Sequence, residues 1–147
     1  MSKIYYPYHS FREDLKTLTE KIDKKFDAIL PISRGGLSMG QMLGEFYGIR
    51  EVYAINTIGY DKSQKLDEVL VFNIPKLRDA NRVLIVDDIV DSGDTLIEVL
   101  KVLKAEYPTI TFYTASIFYK PIASIEPNWW VREAKGWIEF FWSEDLK

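Results

Sequence analysis

The chain has no cysteine in its 147 residues and a single histidine, His9. The first lack excludes disulfides and thiolate metal centres; the second excludes a metal held by several histidines. No apolar run approaches the roughly 18 residues that a membrane-crossing helix needs. The opening stretch, MSKIYYPYHS, is polar and aromatic and has no apolar leader segment. A cytoplasmic protein without a membrane partner is expected. An excess of positive charge is also missing: 19 Lys and Arg stand against 22 Asp and Glu, a net charge of −3. A surface that holds nucleic acid through its phosphates is therefore not expected.

What is present is that of an ordinary folded protein. The hydrophobic fraction of 47% and the charged fraction of 28% suit a soluble globular chain. The length suits one domain over residues 1–147 with a core of its own.

Apolar residues Phe11, Leu15, Leu18 and Ile22 recur at helical spacing, which predicts an amphipathic helix from about Ser10 to Lys25. Ser10 is the expected N-cap, with Glu13 as its capping-box partner. FDAILPI, from Phe26 to Ile32, reads as a strand, SRGG (33–36) as a turn, and LSMGQMLGEFYG (37–48) as a helix. Gly40 and Gly44 share a face of that helix, which lets it approach a sheet closely. EVYAINTI and VLVFNI read as strands, with a polar loop over residues 60–68 between them. A further strand follows over Ile110–Lys120, and all four tryptophans (Trp129, Trp130, Trp137 and Trp142) lie beyond it. Recurring strand–turn–helix units predict an α/β class with a mostly parallel sheet. Ligands of such sheets bind beyond the carboxyl ends of the strands.

The most informative stretch is RVLIVDDIVDSGDTLIEVL (82–100). An unbroken apolar strand, Val83 to Val86, leads into Asp87, Asp88 and Asp91, then Ser92, Gly93, Asp94 and Thr95, then a helical pattern. A turn with a helix cap accounts for one aspartate but poorly for three with Ser-Gly-x-Thr. A phosphoacceptor receiver places its acidic pair near the N-terminus and a further aspartate on a later strand, and neither fits. The diphosphate-metal motif of prenyl-chain enzymes has the letters DDxxD but sits on a long helix. A sugar phosphate suits the whole loop. A glycine turn entering a helix presents backbone N–H groups and a favourable dipole to a phosphate. Ser92 and Thr95 add hydroxyl donors. Carboxylates accept hydrogen bonds from sugar hydroxyls, or hold Mg²⁺ or its waters. Neither GxxxxGK[ST] nor GxGxxG is present.

VLIVDDIVDSGDTL resembles the binding motif for phosphoribosyl diphosphate (PRPP) of type I phosphoribosyltransferases. The resemblance extends over most of the chain and is greatest to the xanthine-guanine branch of the 6-oxopurine enzymes. It implies a central, mostly parallel sheet flanked by helices, with a small hood and a mobile loop. It implies that Asp87 and Asp88 engage the ribose hydroxyls and Mg²⁺, directly or through water. Asp91 would lie at the purine imidazole edge as the catalytic carboxylate. Ser92, Gly93, Asp94 and Thr95 would cradle the 5′-phosphate. Asp94 departs from the glycine, alanine or lysine common in relatives, and is expected to point to solvent. Ser33, Arg34, Gly35 and Gly36 resemble the diphosphate loop, often built around a cis peptide. Lys120 would read the purine 6-oxo group, Trp137 would stack on the ring, and Ile138 would pack near its 2-position. Trp129, Trp130 and Trp142 are expected in core or interface. Residues 57–67 resemble the mobile loop, with Tyr60 at its tyrosine and Gly59 where some relatives carry serine.

The activity so implied is transfer of 5-phosphoribosyl from PRPP to xanthine, guanine or hypoxanthine, as in purine salvage. A homodimer or homotetramer is implied as well. A PRPP-binding regulator and a transferase with a non-purine acceptor are the alternatives.

Overall fold

The computed structural model describes residues 2–59 and 68–147. Tyr60 and most of the expected mobile loop lie outside the described residues. The elements run β1 (Lys3–Tyr6), α1 (Tyr8–Lys21), β2 (Ala28–Ser33), α2 (Leu37–Tyr47), β3 (Ile55–Gly59), β4 (Val69–Phe72), β5 (Arg82–Val90), α3 (Asp94–Glu106), β6 (Thr111–Tyr119), β7 (Arg132–Glu133), β8 (Trp137–Phe140) and α4 (Phe141–Glu144).

The main sheet has the order β4-β3-β2-β5-β6-β7, and a separate two-stranded sheet pairs β1 with β8. Every pairing is parallel except β3 with β4. Strands β2 and β5 are buried over Ala28–Ile32 and Val83–Val86, which explains their unbroken apolar runs. Their side chains alternate between two cores. Ile29, Leu84 and Val86 join Phe11, Leu15, Leu18, Met39 and Leu43 beneath α1 and α2. Leu30, Ile32, Val83 and Ile85 join Leu96, Val99 and Leu103 beneath α3. Each such leucine or isoleucine contributes about 1.5–3 kcal/mol when fully buried.

The predicted start of the first helix is corrected. Pro7 is the N-cap, no side chain caps the helix, and Ser10 lies inside it. The Phe11 amide bonds the Pro7 carbonyl at 3.1 Å. A residue before proline is pushed to extended backbone, so Tyr6 ends a strand and the helix starts directly after the proline. The helix also stops earlier than expected, at Lys21, because Ile22 is extended.

The expected close approach of α2 does occur. A methyl on Gly40 would lie 2.5 Å from the Pro31 ring, and one on Gly44 would lie 2.7 Å from Val52. The Gly40→Ala substitution gains helix propensity of about 1 kcal/mol. It also drives a methyl into a proline locked in a central strand, an overpacking cost of about 1–3 kcal/mol. The second effect is expected to win, lowering the midpoint of denaturant unfolding.

Candidate active site

The site forms where β2, β5 and β6 end at the same edge of the main sheet. The ladder pairs Pro31 with Val86 and Val90 with Tyr119. The three following loops therefore start side by side.

The loop after β2 carries Ser33, Arg34, Gly35 and Gly36, and its Ser33–Arg34 peptide is cis. A methyl on Gly36 would lie 2.4 Å from the Val86 carbonyl oxygen, and one on Gly35 would lie 2.3 Å from a carboxylate oxygen of Asp88. Only glycine lets this loop rest against the end of β5. The loop backbone at Gly35 is thereby brought against the Asp88 carboxylate.

Strand β5 runs further than the sequence indicated. Asp87 and Asp88 lie within it, since pairing with β6 continues through Asp87–Ser116 to Val90–Tyr119. The Asp88 amide donates to Asp87 Oδ1 at 2.9 Å. Burial pushes the Asp87 carboxyl well above the usual range, and the neighbouring Asp88 charge raises it further. Burial raises Asp88 as well, although its hydrogen bonds with Asp87 and with backbone amides oppose the rise.

The turn after β5 places Gly93 at φ 93°, as the N-cap of α3. A left-handed residue there favours glycine. A methyl on it would also lie 3.0 Å from both Ser124 and Ile125. The Ser124 amide and hydroxyl donate to the Ser92 carbonyl at 2.9 and 3.0 Å. Ser124 thus braces the turn from the loop after β6, a contact that no sequence motif signalled. The Asp94 amide bonds Ser92 Oγ at 3.2 Å. The Asp94 side chain is exposed beside Ile97, Glu98 and Lys101 on the outer surface of α3.

The loop after β6 begins with Lys120, whose amide bonds the Val90 carbonyl at 3.0 Å. Its ammonium reaches Asp91 Oδ1 at 2.9 Å. Asp91, Lys120, Trp137 and Ile138 line one cavity of about 230 Å³. Ile89, Glu139, Ser143 and Glu144 line it as well. These four were missed: Ile89 sits on β5 ahead of Asp91, and Glu139, Ser143 and Glu144 arrive on β8 and α4 from the far end of the chain. A larger cleft of about 620 Å³ beside α2 contains none of the loop residues described above. Trp137 is exposed and Ile138 is buried. The other three tryptophans pack on aromatic neighbours: Trp129 on Phe26 and Tyr113, Trp130 on Tyr119, and Trp142 on Phe140.

A glycine-braced loop, a half-buried acidic pair and a helix-entry turn thus stand together at one sheet edge. Residues 5–147 match the phosphoribosyl transferase domain family, and the chain belongs to that family. It has the type I fold and is an enzyme of the phosphoribosyltransferase class. Its relatives are more particular. It is 30% identical over 129 residues to a xanthine-guanine phosphoribosyltransferase of Roseobacter denitrificans, covering 82% of this chain and 70% of that protein. The solved Helicobacter pylori xanthine-guanine-hypoxanthine phosphoribosyltransferase superposes with a TM-score of 0.91 at 37% identity, covering 99% of this chain and 96% of that one. A purine phosphoribosyltransferase from Pyrococcus horikoshii gives a TM-score of 0.85 at 30% identity, covering 98% and 95%.

A carboxyl raised by folding binds more protons in the folded state. Its contribution to stability is full below the unfolded value and is lost as pH rises through the folded one. At neutral pH the ionisation of Asp87 thus works against the ligand-free fold. The Asp87→Asn substitution should raise the melting temperature by about 2–6 °C at pH 7–8. The gain should shrink as pH falls toward the ordinary aspartate range near ~4. Thermal melts across pH measure both.

Proposed function

We propose that the chain, as one transferase domain over residues 1–147, transfers a 5-phosphoribosyl group from PRPP to a 6-oxopurine. The products are a purine nucleotide and diphosphate, as in purine salvage. The observation that carries the reading is the Lys120–Asp91 pair at 2.9 Å in a cavity bounded by Trp137 and Ile138, next to the Gly93 turn.

The 5′-phosphate sits on the N–H groups at the start of α3, where the helix dipole adds to the attraction. The Ser92 and Thr95 hydroxyls flank it, and Asp94 stays outside. The diphosphate lies on the loop of Ser33, Arg34, Gly35 and Gly36, taking the Arg34 and Gly35 amides and the Arg34 side chain, a forked donor suited to phosphate oxygens; the Gly36 amide already bonds the Ile32 carbonyl at 2.9 Å. The ribose hydroxyls donate to Asp87 and Asp88. Two adjacent partly buried carboxylates with raised proton affinity are hard-oxygen donors that suit Mg²⁺. No group of three or more possible ligands occurs among the described residues, so the remaining ligands come from substrate oxygens and water. When bound, Mg²⁺ neutralises charge on the diphosphate.

The bond from the anomeric carbon to diphosphate breaks as purine N9 bonds to that carbon, which gains oxocarbenium character. Asp91 accepts the proton released from N7, and Lys120 donates to the 6-oxo oxygen. Catalysis is thus mostly positioning and charge stabilisation. Closure over the reacting sugar is assigned to the loop containing Tyr60. The protein acts in the cytoplasm, as a homodimer or homotetramer.

A nucleotide-formation assay with PRPP and Mg²⁺ tests the reading. Xanthine, guanine or hypoxanthine should turn over and adenine should not, since its 6-amino group is itself a donor. PRPP binding without turnover of any purine would favour a regulator or another acceptor. In the same assay, Lys120→Gln should lower kcat/KM for purines by about tenfold or more while leaving PRPP affinity nearly intact. The Asp91→Asn variant should lower kcat by about 10²–10⁴-fold, far more than it weakens PRPP binding.

A further inference from the structure

Asp14 is a buried carboxylate that the proposed mechanism does not use: it lies on α1 with 4% of its surface exposed. Its Oδ2 accepts from the Tyr6 hydroxyl on β1 and from Arg132 Nε on β7, the latter at 2.6 Å. Three elements from distant parts of the chain thus converge on one oxygen. Burial and the hydrogen bond to Asp14 hold the Tyr6 hydroxyl well above its ordinary pKa, so it remains a donor.

The consequence for the base cavity follows from what Tyr6 touches. Its ring meets Phe118 edge-on at 4.9 Å and Phe140 edge-on at 5.8 Å, and Phe118 meets Phe140 at 5.8 Å. Phe118 lies two residues before Lys120 on β6. Phe140 lines the cavity and follows Trp137 and Ile138 on β8. Both aromatic partners are backbone neighbours of the anchor: β1 pairs Tyr6 with Phe140, and β7 pairs Arg132 with Phe118. The Tyr6–Phe118–Phe140 triangle therefore sets the distance between β6, which leads directly into Lys120, and β8, which carries Trp137 and Ile138.

We propose that Asp14, held by Tyr6 and Arg132, is a positioning residue for the purine half of the site. It fixes the small β1–β8 sheet against the main sheet, so that the reader lysine and the stacking tryptophan face one ring. The PRPP half has its own braces, Gly35 and Gly36 against β5 and Ser124 against Ser92, and does not depend on Asp14. The inference rests on the purine-transfer reading above.

The test compares Tyr6→Phe, which keeps the ring, and Asp14→Asn with Leu103→Ala. Leu103 lies in the opposite core, away from the base cavity. Steady-state kinetics are measured well below the melting temperature of each variant, and backbone hydrogen exchange is followed in β8. Tyr6→Phe and Asp14→Asn should raise the KM for purine about tenfold while the KM for PRPP changes less than about twofold. This is a 1.4 kcal/mol effect confined to one substrate. Exchange over residues 137–140 should quicken without matching change in β2 and β5. Leu103→Ala should lower the melting temperature and leave the ratio of the two KM values alone. Equal changes in both KM values would overturn the proposal, as would a purine KM unmoved in both Tyr6→Phe and Asp14→Asn. If the unaltered protein turns over no purine, the transfer reading fails first. Unchanged β8 exchange in the two variants would then overturn the positioning role, and selective quickening would support it.

Discussion

The site depends on one close approach, that of Gly35 and Gly36 to the end of β5. There is no room for a side chain between the Gly36 backbone and the Val86 carbonyl, nor between Gly35 and the Asp88 carboxylate. Because β2 and β5 are parallel neighbours, their following loops open in the same direction. The glycines turn this adjacency into contact, so the loop rests on the Val86 carbonyl and the Asp88 carboxylate. PRPP carries phosphate at both ends and hydroxyls between. The sheet edge presents the complementary order, with N–H donors on either flank and acceptors in the middle.

That arrangement has a cost in the ligand-free protein. Asp87 and Asp88 are enclosed and adjacent, and each resists ionisation. Asp94, by contrast, is exposed in the first turn of α3, where the dipole favours negative charge. The acid that the helix dipole favours thus faces solvent, and the acids that oppose the ligand-free fold lie near the end of β5. The inner acids are held by β5 and its neighbours, a buried strand that tolerates the loss.

Local chemistry was legible in the sequence. Val83–Val86 as a buried strand, the glycine turn at Gly93 and the close-packed face of Gly40 and Gly44 all follow from short-range pattern. Their physical causes lie within a few residues. The start of α1 was misjudged because Ser10 and Glu13 make a good capping box on paper, while Pro7 settles the backbone earlier. Asp87 and Asp88 looked like loop residues because strands rarely bury carboxylates; pairing with β6 overrides that preference. Ser124, Ser143 and Glu144 carried no signal at all, since only tertiary contacts bring them to the site. Asp14 likewise belongs to no motif read from the sequence. Only the meeting of α1, β1 and β7 makes it a buried partner of Tyr6 and Arg132.

The parallel pairing of β1 with β8 joins residues 3–6 to residues 137–140, segments separated by most of the chain. Closing so long a loop is entropically expensive and slow compared with forming the strand–turn–helix units between. During synthesis, β2 through α3 can settle while the partner of β1 is still unmade. The order of assembly therefore gives the molecule a sugar-phosphate end that matures early and a base end that matures last. Until the final strand docks, Tyr6 and Phe118 lack the cover of Phe140, and this is the interval in which the nascent chain is most open to unwanted association.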